Sequence, residues 1–84
     1  MEFYKLVEVM KKLRAPDGCP WDREQTFESL RSNTIEETYE LIDAINTMEV
    51  TNIKKELGDI LLHVVFYAKM ASEKEWFEIQ DVIN

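Results

Sequence analysis

Four carboxylates stand in two evenly spaced pairs, Glu37-x-x-Glu40 and Glu56-x-x-Asp59, and a further acid, Glu36, precedes the first. The i, i+3 spacing puts the two acids of each pair on one side of a helix, one turn apart. Facing each other across neighbouring helices, such pairs repel unless cations sit among them. An oxygen-only donor set suits hard cations such as Mg²⁺ or Mn²⁺. The pattern is therefore a candidate metal centre carried by two helices.

The elements that must position these acids can be read from periodicity. Residues 2–14 read as a first helix, with Phe3, Leu6, Val7, Met10 and Leu13 at helical spacing and Lys11, Lys12 and Arg14 at the end where the dipole favours cations. Residues 15–25 read as a loop, because Pro16-Asp17-Gly18 is a turn signature. Trp21 in that loop is either a stacking platform for a base or, the favoured reading, an aromatic plug over the core. Cys19 has no partner cysteine and only a distant His63, which argues against zinc.

Residues 26–31 can form a short helix, and Thr34 to Glu37 fits a capping box for a new helix over 34–48. Its apolar arc comprises Ile35, Thr38, Tyr39, Leu41, Ile42, Ile45 and Met48. Glu37 lies at the edge of that arc and Glu40 one step further out, while Glu36 and Asp43 face solvent. A carboxylate at a core edge needs a partner to stay ionised. A turn over 49–52, with Thr51 or Asn52 as cap, leads to a third helix over 53–72, antiparallel to the second.

From Leu57 to Ala71 that third helix is apolar on every side. A helix apolar all round is buried all round, and so short a chain has too little else to cover it. Part of it is therefore expected under a second subunit. Glu56 and Asp59 share a sector with His63, Phe66, Tyr67 and Met70, and no Lys or Arg enters that sector before Lys69. Buried acids without cationic partners are costly, which strengthens the metal reading. Gly58, between the two acids, implies close approach of another backbone, and His63 reads as a structural or supporting polar residue. After a break at 72–75, Trp76 and Phe77 re-enter the core and a fourth helix begins at Phe77.

The whole chain sets wider bounds. It has 84 residues, 45% hydrophobic and 32% charged, with two Gly and two Pro. One small all-α domain is expected, an antiparallel helix bundle completed by oligomerisation. A net charge of −7 leaves no basic stripe for a nucleic-acid polymer, though bound metals can invert the local sign for a nucleotide. No membrane span or signal peptide is visible, so cytoplasmic is the default location.

Taken together, Cys19-Pro20-Trp21-Asp22, Gln25-Thr26, Glu36-Glu37-x-x-Glu40 and Glu56-x-x-Asp59 resemble the MazG family of nucleoside triphosphate pyrophosphohydrolases, most closely the N-terminal domain of its long members. The match in order and spacing runs from about Leu6 to Met70. The resemblance implies an α-helical fold that forms homodimers or homotetramers. It implies Mg²⁺-dependent hydrolysis of (deoxy)nucleoside triphosphates to the monophosphate and pyrophosphate, with nucleotide-pool housecleaning as a family-level role. Carried over, Glu37, Glu40, Glu56 and Asp59 are the metal ligands, and Glu36 is a supporting or water-positioning acid beside Glu37 and Glu40. Lys54 and Lys55 flank the site and, with Trp21, are candidates for substrate contact.

Two departures stand out. Phe27 occupies a place where the family commonly has His, and the basic Arg- and His-rich segment with which family members continue is lacking. The chain thus reads as a single domain over 1–84, either naturally shortened or a fragment. The alternative to an enzyme is a catalytically weak or inactive helical dimerisation domain of a larger protein. A di-iron carboxylate bundle is disfavoured, because it uses Glu-x-x-His pairs and this chain has none.

Overall fold

The computed structural model describes residues 2–84. Five helices follow in order: α1 (Glu2–Leu13), α2 (Pro20–Glu24), α3 (Phe27–Asn46), α4 (Val50–Glu73) and α5 (Ile79–Ile83). No strand occurs among the described residues, so the all-α expectation holds. The long pair α3 and α4 forms an antiparallel hairpin, and α1 and α5 pack on α4.

The start of α3 differs from expectation. Thr26, not Thr34, is the N-cap: its Oγ1 accepts from the Ser29 amide at 3.0 Å, and Ser29 Oγ accepts from the Thr26 amide at 2.8 Å. With the helix capped there, nothing interrupts it at residue 34, and the Thr34–Glu37 capping box does not form. Thr34 instead donates from mid-helix to the Leu30 carbonyl at 3.0 Å. Inside the expected loop, Pro20 at the first helical position nucleates the single turn of α2, because its ring presets φ and its missing N–H costs nothing there.

The α3–α4 turn is a Schellman motif. The Glu49 amide donates to the Ala44 carbonyl at 3.0 Å and the Met48 amide to that of Ile45 at 3.1 Å, with Met48 left-handed at φ 53°. Glu49 therefore becomes the N-cap of α4, in place of Thr51 or Asn52. The end of α4 repeats the device, with Glu75 at φ 60° and the Trp76 amide bonded to the Ala71 carbonyl. That turn leaves Trp76 and Phe77 exposed rather than in the core. Trp76 stacks on Phe27 with ring centroids 5.4 Å apart. The last helix accordingly starts at Ile79, two residues later than expected, with Glu78 as its cap.

The side of α3 that faces inward is also not the expected one. Phe27, Leu30, Asn33, Thr34, Glu37, Leu41 and Ala44 are buried or half-buried, close to the alternating three- and four-residue steps of a coiled-coil seam. The large residues of the apolar arc, Ile35, Tyr39, Ile42, Ile45 and Met48, are exposed. The helices meet along the edge of that arc, where Ala44 and Thr34 are small, which leaves the bulky residues outside. On α4, Leu57, Leu61, Leu62 and Val64 are exposed as well. A Cβ on Gly58 would meet nothing within 4 Å, so among the described residues no other backbone approaches it.

The apolar core gathers at one end, where Met10, Leu30, Val65, Phe66 and Met70 pack with Phe3, Leu6, Val7, Phe27 and Tyr67. Arg14 fastens that end. Its guanidinium grips both oxygens of Glu73 at 2.6 and 2.7 Å and donates to the Asp22 and Gln25 carbonyls. It lies 5.7 Å from the centre of the Phe66 ring. One side chain thus joins the end of α1 to α2 and to the end of α4, a role beyond the dipole interaction its position suggested. No helix among the described residues is long and apolar enough to cross a membrane.

Candidate metal centre

Glu37 enters the seam from α3, and Glu56 and Asp59 enter from α4. One carboxylate oxygen of each lies within 4.8 Å of the others. Glu56 is buried at 7% exposure, and Glu37 and Asp59 are half-buried. The seam spacing that puts Leu30 and Met70 in the core puts Glu37, two turns from Leu30, and Glu56, four turns from Met70, in equivalent inward positions.

The electrostatics follow from this placement. Burial is the chief reason that the Glu37 carboxyl is pushed up to about 7. The neighbouring Glu56 carboxyl and the negative charges of Glu40 and Asp59 push the same way. Glu40 is raised too, chiefly by the neighbouring Glu56 carboxyl. It is exposed and lies outside the three-residue grouping, at the rim. Glu37 Oε2 and Glu56 Oε2 are buried without any hydrogen-bond partner. An orphaned buried carboxylate oxygen is expensive. Two such oxygens, with a carboxylate oxygen of Asp59 within 4.8 Å, fit a hard divalent cation.

The structure adds a cation that the wheel reading had placed out of reach. Lys55 Nζ lies 3.3 Å from both Glu56 Oε1 and Asp59 Oδ2. It is exposed and reaches the acids along the helix surface, by the i, i+4 step that the sequence already contained for Asp59. The two acids in turn hold its ammonium above the ordinary lysine range. An open groove of about 300 Å³ adjoins the acids, bordered by Glu40, Asp43, Glu49, Asn52, Lys55 and Glu56.

The other candidates are more scattered. Glu36 and Lys54 are exposed on the same two helices. Trp21 is half exposed and meets Phe66 edge-on at 6.4 Å. Phe66 is seven residues beyond Asp59, about 10 Å along α4 at the helical rise, so within one chain Trp21 stands apart from the acids. Sequence reasoning missed a polar knot beside the acids, in which Thr34 Oγ1 meets His63 Nδ1 at 2.8 Å and Tyr67 Oη at 2.6 Å. Burial lowers the His63 pKa, opposed in part by Asp59. The antiparallel register was the available signal, since it sets residue 34 against 63 and 67 as it sets 37 against 56 and 59.

The fold and site together define an all-α protein with a carboxylate cluster in the seam of a helical hairpin. The model of the MazG nucleotide pyrophosphohydrolase domain matches residues 25–84, and this chain belongs to that family. A nucleoside triphosphate pyrophosphohydrolase/pyrophosphatase MazG of Thermotoga maritima is 56% identical over 82 residues, covering 98% of this chain and 32% of that protein. A nucleoside triphosphate pyrophosphohydrolase of Escherichia coli is 48% identical over 79 residues, covering 93% of this chain and 30% of its own length. A Bacillus subtilis protein, YabN, is 43% identical over 83 residues and is matched over 17% of its length. The chain thus spans about a third or less of these relatives.

Proposed function

We propose that this chain is a MazG-type domain, whole or partial, that hydrolyses (deoxy)nucleoside triphosphates to the monophosphate and pyrophosphate with Mg²⁺ as cofactor. The observation that carries the reading is the pair of buried carboxylate oxygens, on Glu37 and Glu56, that no donor satisfies. The names of the Thermotoga and Escherichia relatives supply the reaction class.

Glu37, Glu56 and Asp59 are the inner ligands in this reading, and Glu40 completes the set from the rim. Mg²⁺ held there, or Mn²⁺ in its place, supplies Lewis acidity and the positive charge that offsets both the carboxylates and the triphosphate. The chain's own residues do the rest by position. Glu40 is open to solvent and able to take a proton from water, with Glu36 as a supporting acid further out. Lys55 can turn from Glu56 and Asp59 towards a phosphate, and Lys54 stands next to it. Trp21 offers a half-exposed ring face to a base. The exposed apolar faces of α3 and α4 suit a homodimer or homotetramer in the cytoplasm, with neither a nucleic-acid polymer nor a membrane as partner.

The test is product analysis. Wild type should release pyrophosphate rather than phosphate from nucleoside triphosphates in Mg²⁺, and Glu40→Gln should stop the release. Wild-type turnover by that variant would remove Glu40 from the mechanism. A second reading, a dimerisation domain without turnover, rests on the exposure of Ile35, Tyr39, Ile42, Leu57 and Leu61. A folded oligomer showing no Mg²⁺-dependent nucleotide binding in calorimetry would favour it.

A further inference from the structure

Thr34, His63 and Tyr67 meet in the seam one layer from the carboxylates. Thr34 precedes Glu37 by one turn on α3, and His63 follows Asp59 by one turn on α4. The Thr34 hydroxyl has one proton to give and two lone pairs. It donates to the Leu30 carbonyl at 3.0 Å. Its contacts with His63 Nδ1 at 2.8 Å and Tyr67 Oη at 2.6 Å are then both satisfied only if those groups donate to it. That fixes the imidazole tautomer with the proton on Nδ1. The Tyr67 ring is held in turn by stacking on Phe27, at 5.6 Å between centroids. One α3 side chain is thereby tied to two successive turns of α4 by directional bonds, at a point where apolar packing gives way to acids.

Apolar contacts alone tolerate sliding of one helix along another, and three carboxylates that repel one another favour it. We propose that Thr34, His63 and Tyr67 are positioning residues: their hydrogen-bonded knot fixes the register of α3 on α4 and so sets Glu37 against Glu56 and Asp59. The inference rests on the metal reading for its consequence and on the hydrogen-bond geometry for its substance. Loss of the knot lets Glu37 drift from the two α4 acids and weakens cation binding, though none of the three residues is assigned as a ligand.

The experiment titrates Mn²⁺ by calorimetry into the full chain, as wild type, Thr34→Val, Thr34→Ser and Val7→Ala. Val keeps the shape of Thr and removes the hydroxyl; Ser keeps the hydroxyl. Val7 packs against the core from α1, away from the seam, and reports what loss of stability alone does. Thr34→Val should weaken Mn²⁺ binding about tenfold, the scale of lost outer-sphere support, and Thr34→Ser should restore most of it. Val7→Ala should lower Tm and leave Mn²⁺ affinity within about twofold. NMR cross-peaks between the Glu37 and Glu56 side chains, recorded without metal, read the register directly and should fade only in Thr34→Val.

Unchanged Mn²⁺ affinity and cross-peaks in Thr34→Val, or equal weakening by Val7→Ala, overturn the proposal. If wild type takes up no Mn²⁺, the metal reading falls and the cross-peaks alone decide on positioning. If the variant does not fold, Tyr67→Phe supplies the same comparison with one bond removed.

Discussion

At one end of the α3–α4 hairpin, Leu30, Met70, Phe66 and Val65 pack with Met10 of α1. At the other end the inward positions hold Glu37, Glu56 and Asp59, beside the buried Ala44. The helices and their seam spacing are continuous through both ends, yet the first is a core and the second is a cluster of like charges. The packed end can hold the acidic end in shape because the helices are long and uninterrupted. Carboxylates that would separate in a looser structure are thereby kept close, poor in stability and ready for a cation.

If that division is right, damage at the two ends should have opposite consequences. Leu30→Ala removes a side chain 1% exposed at the centre of the core and should cost about 3 kcal/mol. For so small a domain that is a large share of the whole, so denaturant unfolding should begin much earlier and turnover should fall only with the folded fraction. On the proposed function, Glu56→Gln should cut pyrophosphate release at least about a hundredfold, by removing a proposed metal ligand. It should leave the metal-free Tm unchanged or higher, since one of the repelling charges is gone. A Glu56→Gln protein as unstable as Leu30→Ala would mean that the acidic end also serves as core.

Titration should divide the ends again, with opposite signs. Glu37 holds its proton more tightly when folded, its carboxyl being raised from 4.5 to about 7, chiefly by burial. Its contribution is fully present below the unfolded value and is lost as pH rises through the folded one. Metal-free Tm should therefore fall between those values, and Mg²⁺ should raise Tm more near about pH 8 than near about pH 5, where protons compete for the ligand. At the packed end the Arg14 guanidinium holds Glu73 below the ordinary carboxylate range. That contribution is present above the unfolded pKa and is lost on acidification through the folded one. Arg14→Met should thus flatten the acid limb of the Tm profile and leave the neutral limb alone, and loss of both limbs together would show that the ends do not titrate independently.

The sequence carried the helices because their signals are local: apolar spacing, turn residues and i, i+3 acids. It carried the convergence of Glu37 with Glu56 and Asp59 because a short turn between long helices forces antiparallel pairing. It misplaced the inward face of α3, since hydropathy favoured the bulky arc of Ile35, Tyr39, Ile42 and Ile45, whereas the seam selects small and polar residues that let the helices close. The start of α3 was misread for a related reason. Thr34 to Glu37 fits a capping box as a pattern, but the folded chain caps the helix eight residues earlier, at Thr26 with Ser29, and leaves residue 34 inside it. Arg14 and the Thr34 knot depend on contacts between residues far apart in sequence, for which a helical wheel has no term.

The two Schellman turns allow the finest comparison, because the same backbone device closes α3 and α4. Met48 ends α3 beside the acids at φ 53°, and Glu75 ends α4 beside the core at φ 60°. A left-handed residue with a Cβ costs about 1 kcal/mol that glycine does not pay. Both side chains are exposed, so little packing is lost on substitution. Met48→Gly and Glu75→Gly should each stabilise by less than that amount, since glycine also gives the unfolded chain more freedom. The gain need not register equally. If the acidic end opens locally without global unfolding, Met48→Gly should slow amide exchange around residues 44–56 more than it raises the denaturant midpoint, whereas Glu75→Gly should move the midpoint and the slowest-exchanging core amides together. Equal shifts in both measurements for both variants would show that the hairpin unfolds as one unit, and that its acidic end is held as firmly as its core.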